Sequence, residues 1–156
     1  MTNSNLVHGA KVKAPGNQIS SQNHIPATFS IVAWDTNGYF DEDKPTRLTI
    51  PDELNGLYSI QVNVRWLNPT QPVSKEGYYY SYITLNGELS GNPGRSTANM
   101  VARATGTTQH FAIERRLQVG DYVEVTLWND FDATIEADVT FNLRRIGLVA
   151  PQPKEP

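Results

Sequence analysis

Apolar and polar residues alternate without a break from Tyr58 to Trp66, with Tyr58, Ile60, Val62, Val64 and Trp66 on one parity and Ser59, Gln61, Asn63 and Arg65 on the other. A period of two predicts a β-strand with one buried and one polar face. Asn55-Gly56 leads into it, and Pro51 ends a shorter strand-like run from Leu48 to Ile50. A strand of that length needs partners on both edges, and most of the remaining chain consists of candidates. Val7 to Lys13 predicts a short first strand closed by a turn at Pro15-Gly16-Asn17, and Gln18 to His24 a weaker one suited to an edge or an arm. From Ala27 to Trp34, Phe29, Ile31 and Ala33 share one face and Val32 and Trp34 the other, which predicts a strand covered on both sides. Asp35 to Gly38 reads as a turn, and Tyr39 to Lys44 as an acidic loop closed by Pro45.

Two prolines between Asn68 and Pro72 leave no room for a central strand. Gly77 then opens a run in which Tyr79, Ser81, Ile83 and Leu85 share one face and Tyr78, Tyr80 and Tyr82 the other, before the hairpin signal Asn86-Gly87. Three outward tyrosines exceed what solvent exposure requires and point to cover by a second sheet, a ligand or another subunit. Glu88 to Arg95 reads as loop, Thr97 to Ala104 as a small-residue strand, and His110 to Leu117 as a strand whose apolar face of Phe111, Ile113 and Leu117 is interrupted by Arg115. After the turn Val119-Gly120-Asp121, Val123, Val125 and Leu127 face the core, and Tyr122, Glu124, Thr126 and Trp128 face away. The last strand runs through Ile135, Ala137, Val139, Phe141 and Leu143, and its parity changes near Arg144-Arg145, which predicts a bulge. About eight to ten short strands and no persuasive helix favour an all-β antiparallel sandwich or jelly roll.

A chain of 156 residues fits one domain able to bury a core without staples. It has no cysteine, so disulfides and thiolate metal sites are excluded. A formal charge of -3 with interspersed signs gives no electrostatic case for nucleic acid. No apolar run approaches the roughly 20 residues of a membrane span, and the polar start MTNSNL is not a secretory signal, so the expectation is a soluble protein without membrane insertion.

GAKVKAPGNQISSQNHIPATFS, FDED, RLTIPDELNGLYSIQVNV, ITLNG, LQVGDYVEVTLW and FNLRRIGLV follow one another in order. Together they resemble successive landmarks of the jelly-roll heads related to the first complement component and the tumour-necrosis-factor ligands, and in particular their bacteriophage and bacterial members. The resemblance covers Gly9 to Val149 and implies a sandwich of about ten strands that forms a compact homotrimer with both chain ends near one end. It implies structural positions at Gly56 and Tyr58 of the central strand, at Gly120 and Asp121 in the turn before the penultimate strand, and at Gly147, flanked by Ile146 and Leu148, in the last. In phages such relatives serve as capsid decoration proteins, head fibres and tail-fibre or spike tips, which places the chain on the virion surface, capsid or tail. Nothing here resembles a collagen stalk or fibre shaft, which favours a small protein docked directly on a larger particle. The implied division is 1–24 as an N-terminal arm with short edge strands, 25–149 as the jelly roll and 150–156 as a polar, proline-rich tail.

The outward aromatics Tyr78, Tyr80, Tyr82, Tyr122 and Trp128 are the candidate trimer interface, because aromatic area dominates association energy; the alternative is that some pack inside one subunit. Asp35, Asp41, Glu42 and Asp43 offer the oxygen ligands calcium prefers, yet their spacing departs from an EF-hand, and solvated turn carboxylates are the simpler reading. No other cofactor is expected. Glu114, Glu124 and Glu136 face one another as a catalytic pair only by assumption, and His8, His24 and His110 are scattered, so no enzyme is expected. The leading expectation is a trimeric virion structural protein whose arm, Thr2 to Gln22, or tail engages a capsid or other virion protein. The alternative is a receptor- or glycan-binding module, with Trp34 or Tyr39 as stacking platform and the loops Asn68 to Glu76 and Glu88 to Arg95 at the rim.

Overall fold

The computed structural model describes residues 6–67, 77–88 and 107–148, together with the backbone of 95–100. Among the described residues ten strands follow in order: β1 (Gly9–Ile19), β2 (Ile25–Pro26), β3 (Ile31–Asp35), β4 (Arg47–Thr49), β5 (Gly56–Trp66), β6 (Gly77–Leu85), β7 (Arg95–Met100), β8 (Thr107–Leu117), β9 (Tyr122–Asn129) and β10 (Ile135–Gly147). One sheet has the order β3-β1-β10-β5-β8, and the other β2-β9-β6-β7 with β4 also on β9. Every pairing between them is antiparallel. The two sheets pack as a sandwich, the arrangement that buries one face of each.

The period-two pattern decides which faces meet. Tyr58, Ile60, Val62, Val64 and Trp66 from β5, and Ala137, Val139, Phe141 and Leu143 from β10, turn inward against Tyr79 and Ile83 of β6 and Val123, Val125 and Leu127 of β9. Each of these side chains is at most 2% exposed. A buried aliphatic side chain of this kind contributes about 2 kcal/mol, so this seam between the central strands is the main source of stability.

Three local expectations change. Pro15-Gly16-Asn17 does not end β1; the register to β10 shifts between Ala14 and Asn17, and pairing resumes through Ile19. Asp138 Oδ1 accepts the Gly16 N–H at 2.8 Å and Asn17 Nδ2 donates to the Ala14 carbonyl at 2.7 Å, so the extra residues loop out as a bulge without costing the ladder. β1 therefore lies between β3 and β10, with Ala10, Val12, Ala14 and Ile19 fully buried, so residues 9–19 of the expected arm and edge segment form an inner strand.

Ala27 to Trp34 is likewise not one strand covered on both faces. Ile25-Pro26 pairs with β9 in one sheet, and Ile31 to Asp35 with β1 in the other. Ala27 and Phe29 turn into the core at the crossover, while Ile31 and Val32, on the sheet edge, are 47% and 44% exposed. The parity change after Leu143 is a bulge, located between Arg145 and Gly147. The C-terminal part of the strand expected over Thr97 to Ala104, the loop Asn68 to Glu76, residues 89–94 and the tail 150–156 lie outside the described residues.

Candidate functional site

On β6 the inward residues Tyr79, Ser81 and Ile83 are buried, so Tyr78, Tyr80 and Tyr82 stand on the outer face of the sheet. Tyr80 is paired with Trp128 of β9 and Tyr82 with Thr126, which sets Trp128 on that face beside the tyrosines. The rings touch in series: Tyr78 to Tyr80 at 5.9 Å, Tyr80 to Tyr82 at 6.0 Å and nearly parallel, and Trp128 edge-on to Tyr80 at 5.0 Å. His24, from the turn before β2, lies flat over Trp128 at 6.2 Å and tilts over Tyr82 at 5.9 Å. Each such pair contributes about 1 kcal/mol beyond area burial, which holds the rings as a preformed aromatic face. Tyr78 remains 39% exposed at its end.

Tyr122 stands apart from this group. The Arg47 guanidinium covers its ring at 3.8 Å, a cation–π contact within the subunit.

The Cβ of any larger residue at Gly56 would lie 2.5 Å from the Gly147 carbonyl oxygen, so the two glycines mark a close approach of β5 and β10. Gly120 has φ of 86°, and the following Asp121 accepts the Gln118 N–H at 2.8 Å and the Asn86 side-chain amide at 3.1 Å, tying two loops together. Tyr58 is buried and donates to the Leu54 carbonyl, which leaves its oxygen to accept the Tyr39 hydroxyl at 2.9 Å. Burial first, and then this hydrogen bond, push the Tyr39 hydroxyl far above the usual phenol range; burial also raises Tyr58.

Tyr39 is therefore a core residue, fully buried, and not a stacking platform. The calcium assignment changes as well. Asp35 Oδ1 accepts the N–H groups of Asn37, Gly38 and Tyr39 at 3.3, 2.9 and 3.0 Å, and Oδ2 accepts that of Phe40 at 2.9 Å. The carboxylate closes its own turn. Asp41 accepts the Asp43 N–H at 2.9 Å in the same manner. Asp35, Asp41 and Asp43 do not converge, and among the described residues no group of three or more His, Cys, Asp or Glu is placed to hold a metal.

Trp34, half-buried on β3, lies on the outer face of the other sheet with the Arg144 guanidinium 6.0 Å over its ring. His24 escaped sequence reasoning because its ring neighbours are more than fifty residues away. Gln109 did not have to. It falls on the inward parity of β8, where a polar residue demands partners. It accepts the Trp66 indole N–H at 2.7 Å and the Ser81 hydroxyl, and its amide donates to the Tyr79 carbonyl at 3.4 Å, so one buried amide joins the two sheets. The Tyr79 hydroxyl is buried without a partner among the described residues and is pushed up to about 12 by desolvation.

No protein-family model matches this chain, and no curated protein matches its sequence. Solved structures do. The globular domain of a zebrafish complement 1qA protein is 14% identical with a TM-score of 0.59, covering 91% of this chain and 99% of that one. The structure of Eiger TNF from S. frugiperda is 10% identical with a TM-score of 0.61, covering 96% and 99%. At this identity the likeness is one of fold: an antiparallel jelly roll of the kind shared by complement heads and tumour-necrosis-factor ligands.

Proposed function

We propose that this chain is a non-enzymatic structural module that assembles as a homotrimer and docks on a larger virion particle, as a capsid decoration or head-fibre component. The observation that carries association is the aromatic face of Tyr78, Tyr80, Tyr82, Trp128 and His24, held together ahead of any partner on one side of β6 and β9. Aromatic anchors that are already rigid lose little side-chain entropy on burial. Three copies of one weak docking surface then act together, since each bound copy raises the effective concentration of the next. Residues 9–19, held as an inner strand between β3 and β10, are not available as a docking arm.

A second reading, a host-attachment module, draws on Trp34, which stays at the surface where Tyr39 does not. Immunogold labelling of particles purified from cells expressing the chain separates the two. Label spread over capsid faces supports decoration, label at fibre ends supports attachment, and unlabelled particles contradict both.

A further inference from the structure

β3, β1 and β10 lie side by side at one corner of their sheet, and their register fixes what shares the outer face. Trp34 pairs with Lys11 and Lys11 with Asn142; Ile31 pairs with Lys13. Lys11 and Lys13 alternate with the buried Ala10, Val12 and Ala14, and therefore point outward. Arg144 follows the buried Leu143 and reaches over the Trp34 ring. Three cations thus share this outer face with one indole, in a chain of net charge -3.

Among the described residues no ion pair engages Lys11, Lys13 or Arg144. The ion pair between Arg65 and Asp138 at 3.7 Å involves none of them. Asp138 also holds the Gly16 N–H, and Asp35, next to Trp34, is saturated by its own turn. Asn142, opposite Lys11, is half-buried, and its side-chain oxygen is buried without a hydrogen-bond partner among the described residues.

We infer that this corner is a binding site for an acidic saccharide. A flat indole edged by Ile31, which is 47% exposed, suits the apolar face of a pyranose ring. Lys11, Lys13 and Arg144 suit a carboxylate. A neutral sugar leaves the cations unmatched, and a bare anion leaves the indole unused. The inference rests on the host-attachment reading and supplies it with a ligand class.

The test is calorimetric titration of the full chain with a hexamer of galacturonic acid, its methyl ester and dextran sulfate, alongside adsorption of the labelled chain to host cells. The expected result is binding of the acid hexamer, at least tenfold weaker binding of the ester, and at least tenfold loss on Trp34→Ala with retention on Trp34→Phe. Trp34 lies on an edge strand, and an unchanged melting temperature certifies each variant. Equal binding of dextran sulfate by the chain and by Trp34→Ala, with no preference for the hexamer, overturns the site in favour of plain charge attraction. Silence toward all three probes with cell adsorption intact overturns the site alone; loss of adsorption as well removes the attachment reading with it.

Discussion

The Trp66 indole N–H donates to the side-chain oxygen of Gln109 at 2.7 Å, and the hydroxyl of Ser81, from the opposite sheet, donates to the same oxygen. One buried acceptor therefore satisfies donors on both layers of the sandwich. Gln109→Ala strips both donors of their partner in a site too dry for water to replace it freely. The expected cost is about 3 kcal/mol, measured as a shift in the urea midpoint. Ser81→Ala removes a single donor and should cost about 1 kcal/mol.

Tyr79 stacks on Trp66 at 4.6 Å and on Phe131 at 4.9 Å, yet its hydroxyl has no partner among the described residues. Tyr79→Phe keeps the ring contacts and removes the desolvated group, so stability should hold or rise by about 1 kcal/mol. The same group is one of three buried tyrosines that set the alkaline limit. Its folded value of about 12 exceeds the unfolded 10.0, and Tyr39 and Tyr58 are raised in the same direction. A raised tyrosine contributes stability that is complete below pH 10 and lost as pH climbs through its folded value, because the unfolded chain releases the proton first. Denaturation midpoints should be level up to about pH 9.5 and fall above it, with a shallower fall in Tyr79→Phe.

Asp35 turns its two oxygens on four backbone N–H groups. Asp35→Ala should cost about 2 kcal/mol, because four donors lose a charged acceptor at once. A chelator should leave the melting temperature unchanged, since this carboxylate works without an ion. A melting temperature that drops with chelator and returns with calcium would contradict that account.

These residues also show where sequence pattern suffices. The parity of Tyr78, Tyr80, Tyr82 and Trp128, the inward set of β5 and the bulge in β10 were legible, because side-chain direction in a strand depends on position parity alone. Pro15-Gly16 read as a turn because the group that rescues it, Asp138, lies 122 residues away. Tyr39 read as exposed because it follows a turn, and its cover comes from Tyr58 across the sandwich. Asp35 read as a ligand because the same carboxylate serves an ion or a ring of N–H groups, and only the φ and ψ of its turn decide which. Local signals fixed strand identity; contacts distant in sequence decided what each polar or aromatic group meets.

Association through the aromatic face is tested most directly by molar mass in solution, from light scattering during size exclusion, for the chain and for Tyr80→Ala/Trp128→Ala. Each ring lost from a buried seam costs about 2 kcal/mol or more. The account predicts a mass three times 17.4 kDa for the chain and 17.4 kDa for the folded double variant. A chain that remains at 17.4 kDa, or a double variant that stays trimeric, contradicts it.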